Sequence, residues 1–258
     1  MYFDAHIHLD QYPLDHLKES IEQWRKQNVQ GVLAVSTDLR SSYQTLELKL
    51  RYPDFIFAAV GYHPELPLPT EQERLEISAL VKQERRLISA IGEVGLPHYE
   101  FCGSTPSDLE PFLEVLRSFS DLAIHYQLPL ILHAVHDKAE LAFSAIQKQG
   151  VKQAHFHWLK APTHVVKQIA GVGYFISVTP EICYRTRDQE MAKQVPLSQL
   201  LIETDGPWKY GDSFQNVQTT PLLLADIALK LAEIHQLPLE QMIQACWANT
   251  HEFLQIKK

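Results

Sequence analysis

Eight short apolar runs rich in β-forming residues, most of them separated by amphipathic stretches of helix length, constrain the fold of this 258-residue chain more than any other feature. The runs are Tyr2 to Leu9, Gly31 to Ser36, Phe55 to Gly61, Leu87 to Val94, Leu130 to Ala134, Ala154 to Trp158, Tyr174 to Val178 and Leu200 to Asp205. Between them, segments such as Leu14 to Gln27, Arg40 to Arg51, Glu71 to Gln83, Asp108 to Tyr126 and Ala139 to Gln149 repeat apolar residues three and four positions apart, as one face of a helix does. Strands joined by helical crossovers pair in parallel. Eight strand-helix units at near-equal spacing describe an α/β fold, a single-domain (β/α)8 TIM barrel over residues 1–258; a doubly wound open sheet is the alternative that shares the pattern. Pro221 to His235 and Pro238 to Phe253 read as helices opened by proline, one completing the eighth unit and the other an extra C-terminal helix.

In such a barrel chemistry collects at the carboxyl ends of the strands. The first run carries Asp4, His6 and His8; strict alternation puts these on one face and Phe3, Ala5 and Ile7 on the other. The fourth run ends at Glu93, the fifth at His133, the sixth at His157, with His155 as its rival, and the eighth at Asp205. Taken singly, each has an ordinary reading as a solvated or core histidine, a cap or a turn acid. Together, buried imidazoles and carboxylates at one mouth are costly unless they are paired or bind metal. The layout is that of a two-cation hydrolytic site, with Glu93 bridging a His6/His8/Asp205 group and a His133/His157 group.

Composition narrows the partners. With 23 Lys and Arg against 31 Asp and Glu, a net charge of -8, the chain is not expected to adhere broadly to nucleic acid or an anionic membrane. Cys102, Cys183 and Cys246 are widely spaced and read as reduced cytosolic thiols. The opening residues have no signal-peptide character and no long apolar stretch follows, so a soluble, cytoplasmic protein is expected.

The chain resembles the TatD family of metal-dependent hydrolases and deoxyribonucleases over nearly its whole length. The stretches that carry the resemblance are Asp4-Ala5-His6-Ile7-His8, Val60-Gly61-Tyr62-His63-Pro64-Glu65, Ile91-Gly92-Glu93-Val94-Gly95-Leu96, Leu128-Pro129-Leu130-Ile131-Leu132-His133, the strand ending at His157, and Leu201-Ile202-Glu203-Thr204-Asp205-Gly206-Pro207. The resemblance implies a barrel, two divalent cations (Zn, Mg or Mn), phosphodiester hydrolysis on DNA, and ligand roles for His6, His8, Glu93, His133, His157 and Asp205. Counted back from Gly173-Tyr174-Phe175-Ile176-Ser177, His157 and not His155 falls at the family's histidine. The chain departs from the family at Val135, where an arginine is usual, at Pro97, where an aspartate is usual, and at Trp158-Leu159-Lys160-Ala161, which replaces a small Phe-Ser-Gly-like loop.

On the substrate side, Lys160, Arg185, Arg187 and Lys209 lie in the loops after the sixth to eighth strands, where a phosphate near the cations would meet them. His63 is a substrate or supporting residue, and Trp158, Trp208 and Tyr62 are candidates to stack on a base. The expected enzyme is a 3′-5′ exodeoxyribonuclease on single strands or ends, with Asp205 and Glu93 as catalytic residues. The rivals are a hydrolase of a small ester, amide or phosphoester on the same site, and a noncatalytic partner protein that retains the fold.

Overall fold

Each apolar run becomes one strand of a single parallel sheet: β1 (Tyr2–Ile7), β2 (Val29–Ala34), β3 (Ile56–Val60), β4 (Ile88–Gly95), β5 (Leu130–His133), β6 (Ala154–Phe156), β7 (Phe175–Val178) and β8 (Leu200–Ile202). Neighbours in the sheet follow chain order from β1 to β8. The sheet curls back on itself: just past the strand ends, Asp205 N–H donates to His6 O at 3.0 Å and His8 N–H to Gly206 O at 2.8 Å. That near-closure sets aside the open-sheet alternative. The computed structural model describes residues 1–101, 103 and 106–256, so the reading of Cys102 falls outside the described residues.

The crossovers are α1 (Leu17–Lys26), α2 (Leu39–Arg51), α3 (Glu71–Gln83), α4 (Glu110–Tyr126), α5 (Lys138–Gln149), α6 (Thr163–Gly171), α7 (Thr186–Ala192) and α8 (Leu224–His235). Their ends follow local chemistry. Asp38 and Thr70 each form a capping box, with Ser41 and Glu73, at the start of α2 and α3, and Gly150 ends α5 in the left-handed conformation. Apolar faces such as Leu17, Ile21 and Trp24 of α1 pack on the outside of the barrel.

The additional helix α9 (Leu239–Phe253) covers the amino end of the barrel. Asn249 Nδ2 donates to Leu197 O at 2.6 Å and Leu200 O at 2.8 Å, and Gln153 Nε2 donates to Glu252 O at 2.9 Å, which pins α9 against the starts of β8 and β6. Phe253 and Leu254 join Phe3, Leu33, Ala90, Ile131, Phe175 and Leu201 in one interior cluster. With that end sealed by apolar packing, the polar strand residues are left to the opposite mouth. Among the described residues no helix is long and apolar enough to cross a membrane.

Candidate metal centre

Strict alternation fails on β1. Between Asp4 and Ile7 the pairing register shifts, three steps on β1 matching two on β2 (Val32 to Ala34). Phe3 and Ala5 therefore belong to the interior cluster, while Ile7 packs outside with Leu17 and Ile21, correcting the expectation that the three share a face. The extra residue resets the alternation, so His6 enters the interior although Ala5 already does. A second shift lies between Ile91 and Val94 of β4, opposite Leu130 to Leu132. Ile91 and Val94 both face the outer core, and Glu93, fully buried, reaches the barrel axis between them. Gly95 (φ +154°) follows, where a Cβ would lie 1.9 Å from the His133 carbonyl oxygen, so only glycine lets β4 and β5 approach there.

These shifts bring the six expected residues together around the two oxygens of Glu93. Glu93 Oε2 lies 3.2 Å from His6 Nε2 and 3.6 Å from His8 Nε2, and Asp205 Oδ1 lies 3.5 Å and 3.3 Å from the same two nitrogens. Glu93 Oε1 faces the other way, 2.7 Å from His157 Nε2 and 3.1 Å from His133 Nδ1, which are 3.4 Å from each other. His6, His8 and Asp205 form one set with the spacing of cation ligands; His6, Glu93 and His157 form another, and His63, Glu93 and His133 a third.

The donor set fits a divalent cation on chemical grounds. His6 Nε2, Glu93 Oε2 and Asp205 Oδ1 are buried without a hydrogen-bond partner, an expensive arrangement that a cation among them would satisfy. Burial alone would raise the Glu93 carboxyl, but His157, His63 and His6 beside it hold it well below the usual range. Asp205 is lowered too, with burial opposed by the His8 imidazole 3.3 Å away. The carboxylates are thus anions ready to meet a cation.

Carboxylates that the strand-end rule passed over hold the far sides of these histidines. Glu65 Oε1 is 3.2 Å from His133 Nε2, and Glu203 Oε1 is 3.3 Å from His157 Nδ1 and accepts the Trp158 N–H at 2.9 Å. Each leaves the opposite ring nitrogen to Glu93, the arrangement that orients metal-binding histidines. The signal was present: Glu203 stands two residues before Asp205 in Leu201-Ile202-Glu203-Thr204-Asp205, and Glu65 stands in His63-Pro64-Glu65. Asp4 Oδ1 accepts the Thr204 N–H at 2.9 Å, so it joins β1 to the end of β8 from outside the cluster. His155 is fully buried below His157, against Phe253, with neither ring nitrogen hydrogen-bonded and Nε2 3.5 Å from Glu203 Oε2; burial holds its pKa well down.

The cluster floors a cavity of about 890 Å³ whose walls include His63, Tyr99, Trp158, Lys160, Trp208 and Lys209. His63 Nδ1 accepts the Glu65 N–H at 3.2 Å, which leaves its Nε2, 3.4 Å from Glu93 Oε1, as the donor. Lys160 Nζ donates to the Tyr99 hydroxyl at 3.1 Å and sits 3.9 Å from the Trp158 ring centre. Arg185 pairs with Glu181, and Arg187 with Glu181 and Asp188; neither lines the cavity. Trp208 is exposed at the rim, whereas Tyr62 is buried in the outer core with its hydroxyl on Pro67 O.

The profile of a family described as TatD related DNase matches residues 3–255 of the chain. An uncharacterized metal-dependent hydrolase of Haemophilus influenzae is 37% identical over 256 residues, covering 99% of this chain and 100% of its own. Human deoxyribonuclease TATDN3 is 27% identical over 254 residues, 95% of this chain and 92% of the human one. Among solved structures, the TatD homologue YjjV of Escherichia coli has the same fold, with a TM-score of 0.88 over 99% of this chain and 98% of that one at 22% identity.

Proposed function

Because the chain belongs to the TatD related DNase family of metal-dependent hydrolases, we propose that it is a cytoplasmic, single-domain nuclease that hydrolyses phosphodiester bonds of DNA with two divalent cations, acting 3′ to 5′ on single strands or ends. The observation that carries this reading is the division of Glu93, whose Oε2 faces His6 and His8 while Oε1 faces His133 and His157. In the proposal His6, His8, Asp205 and Glu93 would hold one cation, and His133, His157 and Glu93 the other. Two such cations, when bound, would supply charge neutralisation at the phosphate and lower the pKa of an attacking water.

The chain's own residues have the remaining tasks. Asp205, beside His8 at the cavity wall, takes a proton from the attacking water. The Nε2–H of His63 donates to a phosphate oxygen, and Lys160 and Lys209 add positive charge on the cavity side. Arg185 would have to leave Glu181 to join them. The exposed Trp208 indole offers a base a stacking face. A net charge of -8 supports short single-stranded or terminal substrates over long duplex. The free thiols of Cys183 and Cys246 support a reducing compartment.

The test is an oligonucleotide labelled at one end, incubated with protein stripped by chelator and reloaded with Zn2+, Mn2+ or Mg2+. Stepwise shortening from the 3′ end that depends on added metal is expected. The second reading, a hydrolase of small phosphoesters, is supported by the Tyr99–Lys160–Trp158 contact that walls one side of a cavity of small-ligand size, about 890 Å³. Turnover of small phosphoesters by reloaded protein that leaves every oligonucleotide intact would favour it.

A further inference from the structure

We propose that Glu65 is a positioning residue that presents His133 to the second cation and ties the cavity rim to that ligand; this rests on the two-cation reading above. The surroundings of the His133 ring are asymmetric. Its Nδ1 lies 3.1 Å from Glu93 Oε1 and 3.4 Å from His157 Nε2, whereas its Nε2 lies 3.2 Å from Glu65 Oε1. A neutral imidazole that gives its Nδ1 lone pair to a cation on the Glu93 and His157 side carries its proton on Nε2, and the Glu65 carboxylate there accepts that proton's hydrogen bond and favours this form of the ring.

Glu65 is itself held in place. Oε1 accepts the N–H groups of His98 at 2.7 Å and Tyr99 at 2.9 Å, and Oε2 accepts that of Glu100 at 2.8 Å. Three backbone donors fix the carboxylate, so its position against His133 is set by the backbone and not by a mobile side chain. One group thereby joins the segment after β3, which carries Glu65, the end of β5, and the segment after β4. The last of these brings Tyr99 to the Lys160 ammonium at 3.1 Å. A residue needed only to fold a loop would not distinguish between the two cations. Glu65 reaches the histidine of one set only.

The experiment is calorimetric titration of the chelator-stripped protein with Zn2+, comparing wild type with Glu65→Ala, Glu65→Gln and, to mark the second site, His133→Ala. Wild type is expected to take two equivalents. Glu65→Ala should weaken the site that His133→Ala removes by roughly 10- to 100-fold, and leave the other unchanged. Glu65→Gln, which keeps an oxygen toward His133, His98 and Tyr99, should fall between the two. Unaltered affinities in a folded Glu65→Ala, or equal weakening of both sites, would overturn the proposal. A second readout needs no variant: long-range proton–nitrogen spectra of the Zn2+-loaded wild type should place the His133 proton on Nε2. Finding it on Nδ1 would overturn the role of Glu65 while leaving the function proposed above standing. A wild type that takes a single Zn2+ would overturn both.

Discussion

Glu93 stands at the centre of the cluster, with Oε2 toward His6 and His8 and Oε1 toward His133 and His157. On the proposed two-cation reading, Glu93→Ala should abolish hydrolysis and reduce bound cations below two per chain with little change in circular dichroism; near-normal turnover at saturating metal would end the proposed bridging role. Asp205→Asn keeps size and one ligand oxygen but loses charge and basicity, so kcat should fall by roughly 10² to 10⁴ with some metal still bound. Asp4 differs from both, since burial pushes its carboxyl up to about 8 despite hydrogen bonds from Thr204 and His6. The unfolded chain releases that proton near 3.8, so between those values the folded state holds the extra proton. The stability Asp4 contributes is full below the lower value and is lost as pH rises through the upper one, at about 1.4 kcal/mol per pH unit where only the unfolded form has titrated. Isosteric Asp4→Asn should flatten this slope, and urea midpoints of stripped protein at pH 5 and pH 8 would measure it.

At the scale of elements, the strands that carry His6 and Glu93 are both irregular, and α9 seals the far end of the barrel with apolar packing. Phe253 is fully buried, with its ring 5.4 Å from His155 and 5.6 Å from Phe175. Phe253→Ala leaves a cavity at the barrel base and should cost about 3–5 kcal/mol in chemical denaturation, with cation stoichiometry unchanged because the histidine and carboxylate cluster lies toward the opposite mouth. The elements themselves were plain in the chain. The stretch Glu71 to Gln83 is helical to the residue, since Thr70 and Glu73 form a capping box, and the eight apolar runs match the eight strands to within a few residues. The faces of β1 were not plain, because a one-residue register shift depends on the neighbouring strand and leaves no mark in the alternation itself.

For the molecule as a whole, cations that bind the folded chain alone would stabilise it by mass action, about 2.7 kcal/mol per site at a free concentration one hundred times Kd. Stripping with chelator should lower Tm and readdition of Zn2+ or Mn2+ restore it; a Tm indifferent to both would count against a folded-state metal site. The amino-acid sequence by itself determined the barrel, because periodicity of two and of 3.6 is a local property of each segment, and it brought six histidines and carboxylates to one mouth, because each lies in or just after a strand of a fold whose strands converge there. Only the tertiary structure decided how those residues divide around Glu93, which carboxylates stand behind His133 and His157, and that Arg185 turns to Glu181 and does not line the cavity. Those outcomes depend on distances between atoms far apart in the chain, 68 residues for Glu65 and His133 and 46 for His157 and Glu203, and no local pattern encodes a distance across a barrel.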